Sequence, residues 1–195
     1  GTSIHFIGGT GAPPSYYAGA RSELQSRFPG IRIELPLCTL WHAVQFRSYL
    51  RTLALQLSDA SILIGHSFGG ILAAIASILY PKRVRAAILL DAPLNNEHLP
   101  FFHRFTLRML GADLDRLRKH EELDQQLARI LFSLASRHSI IPTEGCLLPG
   151  IQSRILENPT HGNFPHQTET IEAIGKILEG VLMRTSRIEE IPPKL

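Results

Sequence analysis

Short apolar runs alternate with longer segments of helical periodicity along most of the chain. Several of the apolar runs are followed at once by glycine, proline or aspartate, residues that end regular structure. The predicted strands are residues 4–7, 31–37, 60–65, 84–90, 130–135 and 154–156, and the predicted helices are residues 16–28, 42–57, 68–80 and 168–183. Strands that alternate with helices are typical of parallel sheets with crossover helices. The pattern therefore predicts an α/β fold: a three-layer, open, mostly parallel sheet of about six strands with helices on both faces.

One segment, residues 94–129, interrupts this alternation. It contains a dense apolar cluster that includes Phe101, Phe102 and Phe105, and a charged helix is predicted after the cluster. We interpret residues 94–129 as a small helical cap inserted into a single domain that spans residues 1–195. The cluster is either a lid over an acyl or alcohol pocket or a helix packed on the core, and the sequence leaves both interpretations open.

Length, composition and charge narrow the class of protein. The 195 residues suit one domain, and the formal net charge of +3 is too small to argue for nucleic-acid binding. The two cysteines, Cys38 and Cys146, fit neither metal-ligand nor redox spacing, which favours a reducing, cytoplasmic location. The first residues show no secretory pattern, and no apolar run has transmembrane length. We expect a protein without a membrane span, metal or cofactor, and the sequence leaves the oligomeric state open.

The most informative stretch is Gly65-His66-Ser67-Phe68-Gly69, which joins a predicted strand directly to a predicted helix. A serine at such a bend must take strained backbone angles, which lift its hydroxyl clear of the sheet. Because strand and helix approach closely there, the positions two residues before and after it must be small, and glycine stands at both. The N-terminus of the following helix, with the Phe68 N–H, can stabilise a developing oxyanion. Ser67 is therefore the predicted nucleophile.

This strand–serine–helix stretch resembles the nucleophile elbow of the α/β-hydrolase family, and the resemblance extends from the first strand to the closing helix. The family carries its second oxyanion donor just after the first strand, in a His-Gly pattern. Gly8-Gly9-Thr10 stands at that place here, without the histidine. Because the donor is a backbone N–H, the resemblance implies that Thr10 and Phe68 hold the substrate oxyanion. The glycine-rich run lacks the spacing of a nucleotide-binding loop.

The resemblance also implies an order of catalytic residues: serine, then acid, then a histidine in the loop after the last strand. His161 follows the last predicted strand directly, and His161-x-x-Phe164 resembles the histidine loop of small carboxylesterases, including those that cleave pimeloyl methyl esters. His166 is a rival beside the closing helix, where capping or a surface role suits it better. We predict that His161 is the base that activates Ser67.

The acid of the expected triad is the weakest element of the resemblance. The family often places it after the penultimate strand, but in the matching segment His138 or Ser139 stands where aspartate is expected. Asp91, at the end of an earlier strand, occupies a position that some lipases and dehalogenases of this fold use for the acid. Asp91 is thus the predicted acid, and Glu97 and Glu144 are lesser candidates. A serine–histidine pair without any acid is the remaining possibility.

These residues together predict a serine hydrolase that cleaves a carboxylic ester or thioester with an apolar acyl group through an acyl-enzyme. The substrate is expected to be a small molecule or an acyl group on an acyl carrier protein. Arg104 and Arg108 are four positions apart and can contact such an acidic partner, although such pairs are more often only solvated. The alternative is a catalytically impaired relative of the family that acts as a binding protein.

Overall fold

The computed structural model describes residues 1–10, 12–36, 45–95, 130–147 and 150–189, with side chains described to residue 184 in the last range. A single sheet runs through this part of the chain. Its strands are β1 (Ser3–Ile7), β2 (Arg32–Glu34), β3 (Ser61–His66), β4 (Val84–Leu90), β5 (Leu131–Ser136) and β6 (Gln152–Leu156). The strand order is β2-β1-β3-β4-β5-β6, and every neighbouring pair is parallel.

Within the described ranges, four α-helices pack against the two faces of this sheet. They are α1 (Ala18–Arg27), α2 (Phe46–Gln56), α3 (Phe68–Leu79) and α4 (Thr168–Glu189). Side chains of α2 and α3 form one buried cluster with one face of the sheet, and side chains of α1 and α4 form a second cluster with the other face. The predicted fold class, an open parallel sheet covered on both faces, is confirmed.

The alternation of side chains along the strands explains why both faces are covered. Ile62 and Ile64 point to the α1–α4 side, whereas Leu63 between them belongs to the α2–α3 side. All residues of β3 and β5 are buried, because a central parallel strand has a helix layer above and below it. β6 is the outermost strand on its side of the sheet, and four of its five residues are exposed.

Several boundaries differ from those predicted. β6 begins at Gln152, two residues before the prediction, and β2 is shorter than the predicted residues 31–37. The closing helix continues to Glu189 rather than ending at residue 183. Of the predicted cap, residues 96–129 lie outside the described residues, so the cap and its lid role stay predictions.

The parallel arrangement brings the loops that follow the strands to one edge of the sheet. The loops after β1, β3, β4, β5 and β6 all leave at the carboxyl ends of their strands, where ligands bind in open α/β sheets. Within the described ranges, no helix is both long and apolar enough to cross a membrane.

Candidate active site

Ser67 forms the bend between β3 and α3. Its backbone angles are φ 55° and ψ −122°, a conformation that non-glycine residues rarely adopt. Its N–H donates to the carbonyl oxygen of Leu90 at 2.9 Å, which ties the bend to the end of β4. Such backbone strain costs on the order of 1–3 kcal/mol and persists only where the surrounding structure holds it. The serine at this bend therefore has the strained backbone angles that the sequence predicted.

Glycines make this bend sterically possible. A Cβ atom on Gly65 would lie 2.3 Å from the carbonyl oxygen of Gly69, and a Cβ atom on Gly69 would lie 2.3 Å from the carbonyl oxygen of Ile7. Both contacts are with backbone atoms, which cannot move aside as the end of a flexible side chain can. Helix α3 therefore reaches the sheet only if both positions lack a side chain.

His161 lies in the loop between β6 and α4, and its ring faces Ser67. Nε2 is 3.0 Å from Ser67 Oγ, and Nδ1 is 2.6 Å from Oδ2 of Asp91. An ionised carboxylate only accepts hydrogen bonds, so Nδ1 carries the proton of the neutral ring and Nε2 presents its lone pair to the serine hydroxyl. This tautomer is the one that can take a proton from Ser67.

The loop that carries His161 is held at several points. The Asn163 side chain accepts a hydrogen bond from the Thr160 N–H at 2.7 Å, which closes a tight turn around His161. The Ser136 hydroxyl, at the end of β5, donates to the carbonyl oxygen of Pro159. Phe164 is fully buried beneath the loop. The rival His166 is exposed and contacts the Tyr16 ring edge-on at 4.6 Å between ring centres.

Asp91 follows β4 and is fully buried with a positive φ of 48°. Its Oδ1 accepts a hydrogen bond from the Ser136 N–H at 3.0 Å, and its Oδ2 accepts one from the Ser139 hydroxyl at 2.6 Å. Burial alone raises the pKa of Asp91, but the hydrogen bonds from His161, Ser139 and Ser136 outweigh burial and hold that pKa below its ordinary value. The carboxylate is therefore ionised at neutral pH.

Ser139 is one of the two residues, with His138, that the sequence places where the acid is expected, and it was assigned no role. It lies in the loop after β5 and is held by the Ile141 N–H, which donates to its hydroxyl at 3.1 Å. Instead of an acid, this loop supplies a donor to the carboxylate of Asp91. His138 and Glu144 are exposed, and Glu97 lies outside the described residues. Among the acids in the described ranges, Asp91 is the one hydrogen-bonded to His161.

Of the two predicted oxyanion donors, Phe68 directly follows the serine, and Thr10 follows a glycine that lies close to it. The Phe68 N–H is the first of α3 and has no acceptor within its own helix. Thr10 follows Gly9, whose Cα lies close enough to Ser67 that an added Cβ would be 3.5 Å from the serine Cβ. The Gly9 N–H is already used, because it donates to the Tyr17 hydroxyl at 2.7 Å.

His66, the residue before the serine, takes part in a hydrogen-bond chain that the sequence did not reveal. Its Nδ1 is 2.9 Å from the Tyr17 hydroxyl, and its Nε2 is 2.8 Å from the carbonyl oxygen of His161. Burial, together with the nearby His161, lowers the pKa of His66 to about 4, so its ring is neutral at neutral pH. No sequence signal identified this role, since the contacts join residues far apart in the chain.

The described side chains also bear on metal binding. In the part of the chain with described side chains, His, Cys, Asp and Glu residues form no group of three or more that could hold a metal ion. Cys146 is buried, its Sγ lies 3.5 Å from Asp91 Oδ1, and burial raises the pKa of its thiol.

Comparison with known proteins identifies the family. The sequence model of the alpha/beta hydrolase fold family matches residues 15–165, which is more than half of the chain. The chain therefore belongs to the α/β-hydrolase fold family. No curated protein sequence matches it. The predicted membership of the superfamily is confirmed, whereas the likeness to pimeloyl methyl esterases stays a prediction.

Solved structures share the fold at low sequence identity. The ydeN gene product of B. subtilis superposes with a TM-score of 0.66 at 16% identity, over 94% of this chain and 100% of that chain. A structure from the metagenome-derived lipolytic enzymes LipS and LipT has a TM-score of 0.62 at 13% identity, over 93% and 94% of the two chains. A carboxylesterase of Nitrososphaera gargenis has a TM-score of 0.58 at 14% identity, over 95% and 91%. At these identities the likeness shows the fold alone.

Proposed function

We propose that this chain is a serine hydrolase that cleaves a carboxylic ester or thioester through an acyl-enzyme on Ser67. The observation that carries the proposal is the continuous series of hydrogen bonds from Ser67 through His161 to the buried Asp91, at 3.0 Å and 2.6 Å. A serine hydroxyl alone is a weak nucleophile, and a base oriented by a third group is the arrangement that activates it.

Acylation begins with attack of Ser67 Oγ on the carbonyl carbon while His161 Nε2 takes the hydroxyl proton. The carbonyl π electrons move to oxygen, and the backbone N–H groups of Thr10 and Phe68 donate hydrogen bonds to the oxyanion. Asp91 stabilises the imidazolium that forms. The oxyanion then collapses, the bond to the leaving alcohol or thiol breaks, and His161 protonates the leaving group.

Deacylation repeats the same proton transfers with water as the nucleophile. His161 Nε2 takes a proton from the water, and the hydroxide attacks the acyl carbon. The second tetrahedral oxyanion collapses, and Ser67 Oγ leaves with the proton that His161 returns. The products are a carboxylic acid and the regenerated hydroxyl, so no cofactor is consumed.

The expected substrate carries an apolar acyl group. The names of two fold neighbours, a lipolytic enzyme and a carboxylesterase, describe ester cleavage by those proteins and support the same reaction class here. The apolar cluster within residues 94–129 suits an acyl chain, and Arg104 and Arg108 suit an acidic carrier protein. Both features lie outside the described residues. Ester substrates of increasing acyl length, free and attached to an acyl carrier protein, therefore test the preferred acyl length and the need for a carrier.

A fluorophosphonate probe tests the proposal, because it reacts covalently with activated serines. We expect stoichiometric labelling of the native protein and none in Ser67→Ala. The matched control is Ser153→Ala, an exposed serine on β6, which should label like the native protein. Absence of labelling in the folded native protein would overturn the proposal.

The alternative, an impaired relative that acts as a binding protein, was suggested by the missing acid after β5. Asp91 is hydrogen-bonded to His161, so no observation in the described residues now favours that alternative. The same labelling experiment separates the two, because a binding protein without an activated serine does not react with the probe.

A further inference from the structure

Two buried side chains, Tyr17 and His66, link the loop after β1 to the loop that carries His161. The chain of hydrogen bonds runs from the Gly9 N–H to the Tyr17 hydroxyl, on to His66, and from His66 to the carbonyl oxygen of His161. One end lies beside the predicted oxyanion donor Thr10, and the other end is the backbone of the predicted base.

The direction of every proton in this chain is determined. A carbonyl oxygen only accepts, so His66 Nε2 carries the proton and donates it to His161. Nδ1 of the neutral ring then has only a lone pair, so the Tyr17 hydroxyl must donate to it. The Tyr17 oxygen in turn accepts from the Gly9 N–H. A chain with one consistent proton arrangement positions its members more sharply than separate contacts do.

The close packing of Tyr17 and His66 supports the same link between the loop after β1 and the loop after β6. Tyr17 is 2% exposed and His66 5% exposed, so water does not replace a lost partner easily. The Tyr17 ring lies so close to Gly8 that a Cβ on that glycine would be 2.3 Å from a ring carbon. The ring centres of His66 and His161 are 5.3 Å apart. The loop after β1 and the loop after β6 thus meet the same two side chains.

We propose that Tyr17 and His66 are positioning residues that set the oxyanion loop and the His161 backbone relative to Ser67. This inference rests on the proposed hydrolase function. The hydrogen bond from the Gly9 N–H to Tyr17 orients the peptide that precedes Thr10. The hydrogen bond from His66 to the His161 carbonyl oxygen fixes the backbone from which the His161 ring reaches both Ser67 and Asp91. Both residues act through hydrogen bonds to the backbone, at Gly9 and at His161.

Neutrality of His66 suits this role. When His161 becomes an imidazolium during the reaction, a second charged ring 5.3 Å away would oppose it. His66 keeps its donor on the carbonyl and its acceptor on Tyr17 only while it is neutral, and its low pKa keeps it so through the neutral range.

The first test is Tyr17→Phe, which removes one hydroxyl and keeps the ring. We expect kcat for a p-nitrophenyl ester to fall about tenfold with KM changed less than about twofold, because the loss concerns the transition state. Binding of an alkylboronic acid, which mimics the oxyanion on Ser67, should weaken in parallel. The matched control is Tyr16→Phe, the neighbouring tyrosine, whose kinetics and boronate binding should equal those of the native protein.

The second test separates the two ends of His66. His66→Gln can keep a donor near the position of Nε2, and His66→Asn can keep an acceptor near the position of Nδ1. We expect boronate binding to be better preserved in His66→Asn, which keeps the Tyr17–Gly9 side. We expect the proton resonance of His161 Nδ1–H, shifted far downfield by its short bond to Asp91, to be better preserved in His66→Gln.

The outcomes distinguish this inference from the proposed function. If the native protein hydrolyses esters and Tyr17→Phe keeps native kcat and boronate affinity, the positioning role is wrong. If the native protein neither reacts nor labels, the proposed function fails, and the His161 resonance still decides the positioning role. An unchanged resonance in both folded His66 variants would overturn it.

Discussion

The sequence lacks an acid at the expected place after β5, and the carboxylate hydrogen-bonded to His161 is instead that of Asp91, which follows β4. The loop after β5 carries His138 or Ser139 at the place where the resemblance predicts an acid, and Ser139 donates to Asp91 from the neighbouring strand end. Oδ2 of Asp91 accepts this hydrogen bond and also lies 2.6 Å from Nδ1 of His161. The loop after β5 therefore contributes a donor to the carboxylate rather than a carboxylate of its own.

Replacing the buried carboxylate tests this arrangement. In Asp91→Asn the amide can donate to His161 Nδ1 only in competition with the ring proton, which favours the wrong tautomer. We expect kcat for a p-nitrophenyl ester to fall about 1,000-fold or more. Adding Ser139→Asp to Asp91→Asn restores a carboxylate beside His161, and we expect at least about tenfold recovery over the single variant.

The substitutions at Asp91 and Ser139 have a matched control and an outcome that would contradict the prediction. Ser139→Ala alone should reduce kcat by only about threefold to tenfold, because it removes one hydrogen bond from a carboxylate that keeps those from His161, Ser136 and the Cys146 thiol. If Asp91→Asn leaves turnover unchanged in a folded protein, Asp91 is not the acid.

At the scale of elements, the junction of β3 and α3 depends on glycines that the sequence pattern identified. We expect Gly69→Ala to lower the free energy of unfolding by about 3 kcal/mol or to prevent folding, because its Cβ would meet the Ile7 carbonyl at 2.3 Å. Urea denaturation followed by circular dichroism measures this effect.

The matched control for that prediction is Gly180→Ala, in α4. A Cβ there meets nothing within 4 Å, so the substitution should be neutral or stabilise by up to about 1 kcal/mol. Equal effects of the two substitutions would show that the close approach of α3 to β1 is not what requires Gly69.

The strands and helices were predictable to the extent that periodicity records burial. β3 and β4 consist mostly of apolar residues because both of their faces are covered, and their predicted bounds agree closely with those observed. β6 was predicted too short, because its first two residues, Gln152 and Ser153, are exposed and polar and carry no apolar signal. The serine was predictable because its strand, bend and helix are contiguous.

The contacts of the site were less predictable, since they join separate loops. The pairing of His161 with Asp91 spans 70 positions, and that of His66 with the His161 carbonyl spans 95. The order of strands in the sheet brings these loops together, and the spacing of residues along the sequence does not reveal that order. Asp91 was named as one candidate among several, whereas Ser139, Tyr17 and His66 were not assigned to the site.

For the whole molecule, buried titrating groups link stability to pH. The pKa of His66 is about 4 in the folded protein and about 6.5 in the unfolded chain, so between these values the unfolded state binds more protons. The stability that neutral His66 contributes is therefore present above pH 6.5 and is lost as pH falls towards about 4.

We expect the free energy of unfolding to fall by up to about 1.4 kcal/mol per pH unit from this group inside that window. His5, whose pKa is also lowered by burial, acts in the same direction. His66→Asn should remove the part of this pH dependence of the free energy of unfolding that His66 contributes, as measured by urea denaturation at pH 5 and 7. Identical slopes in the native protein and His66→Asn would show that His66 does not titrate in this window.

The central claim is that Ser67 forms an acyl-enzyme with the help of His161 and Asp91, and pre-steady-state hydrolysis of p-nitrophenyl butyrate tests it most directly. We predict a burst of p-nitrophenol close to the enzyme concentration, a matching mass increase on Ser67, and loss of both in Ser67→Ala and His161→Ala. Turnover that persists unchanged in folded Ser67→Ala, or a native protein that releases no p-nitrophenol, would contradict the account.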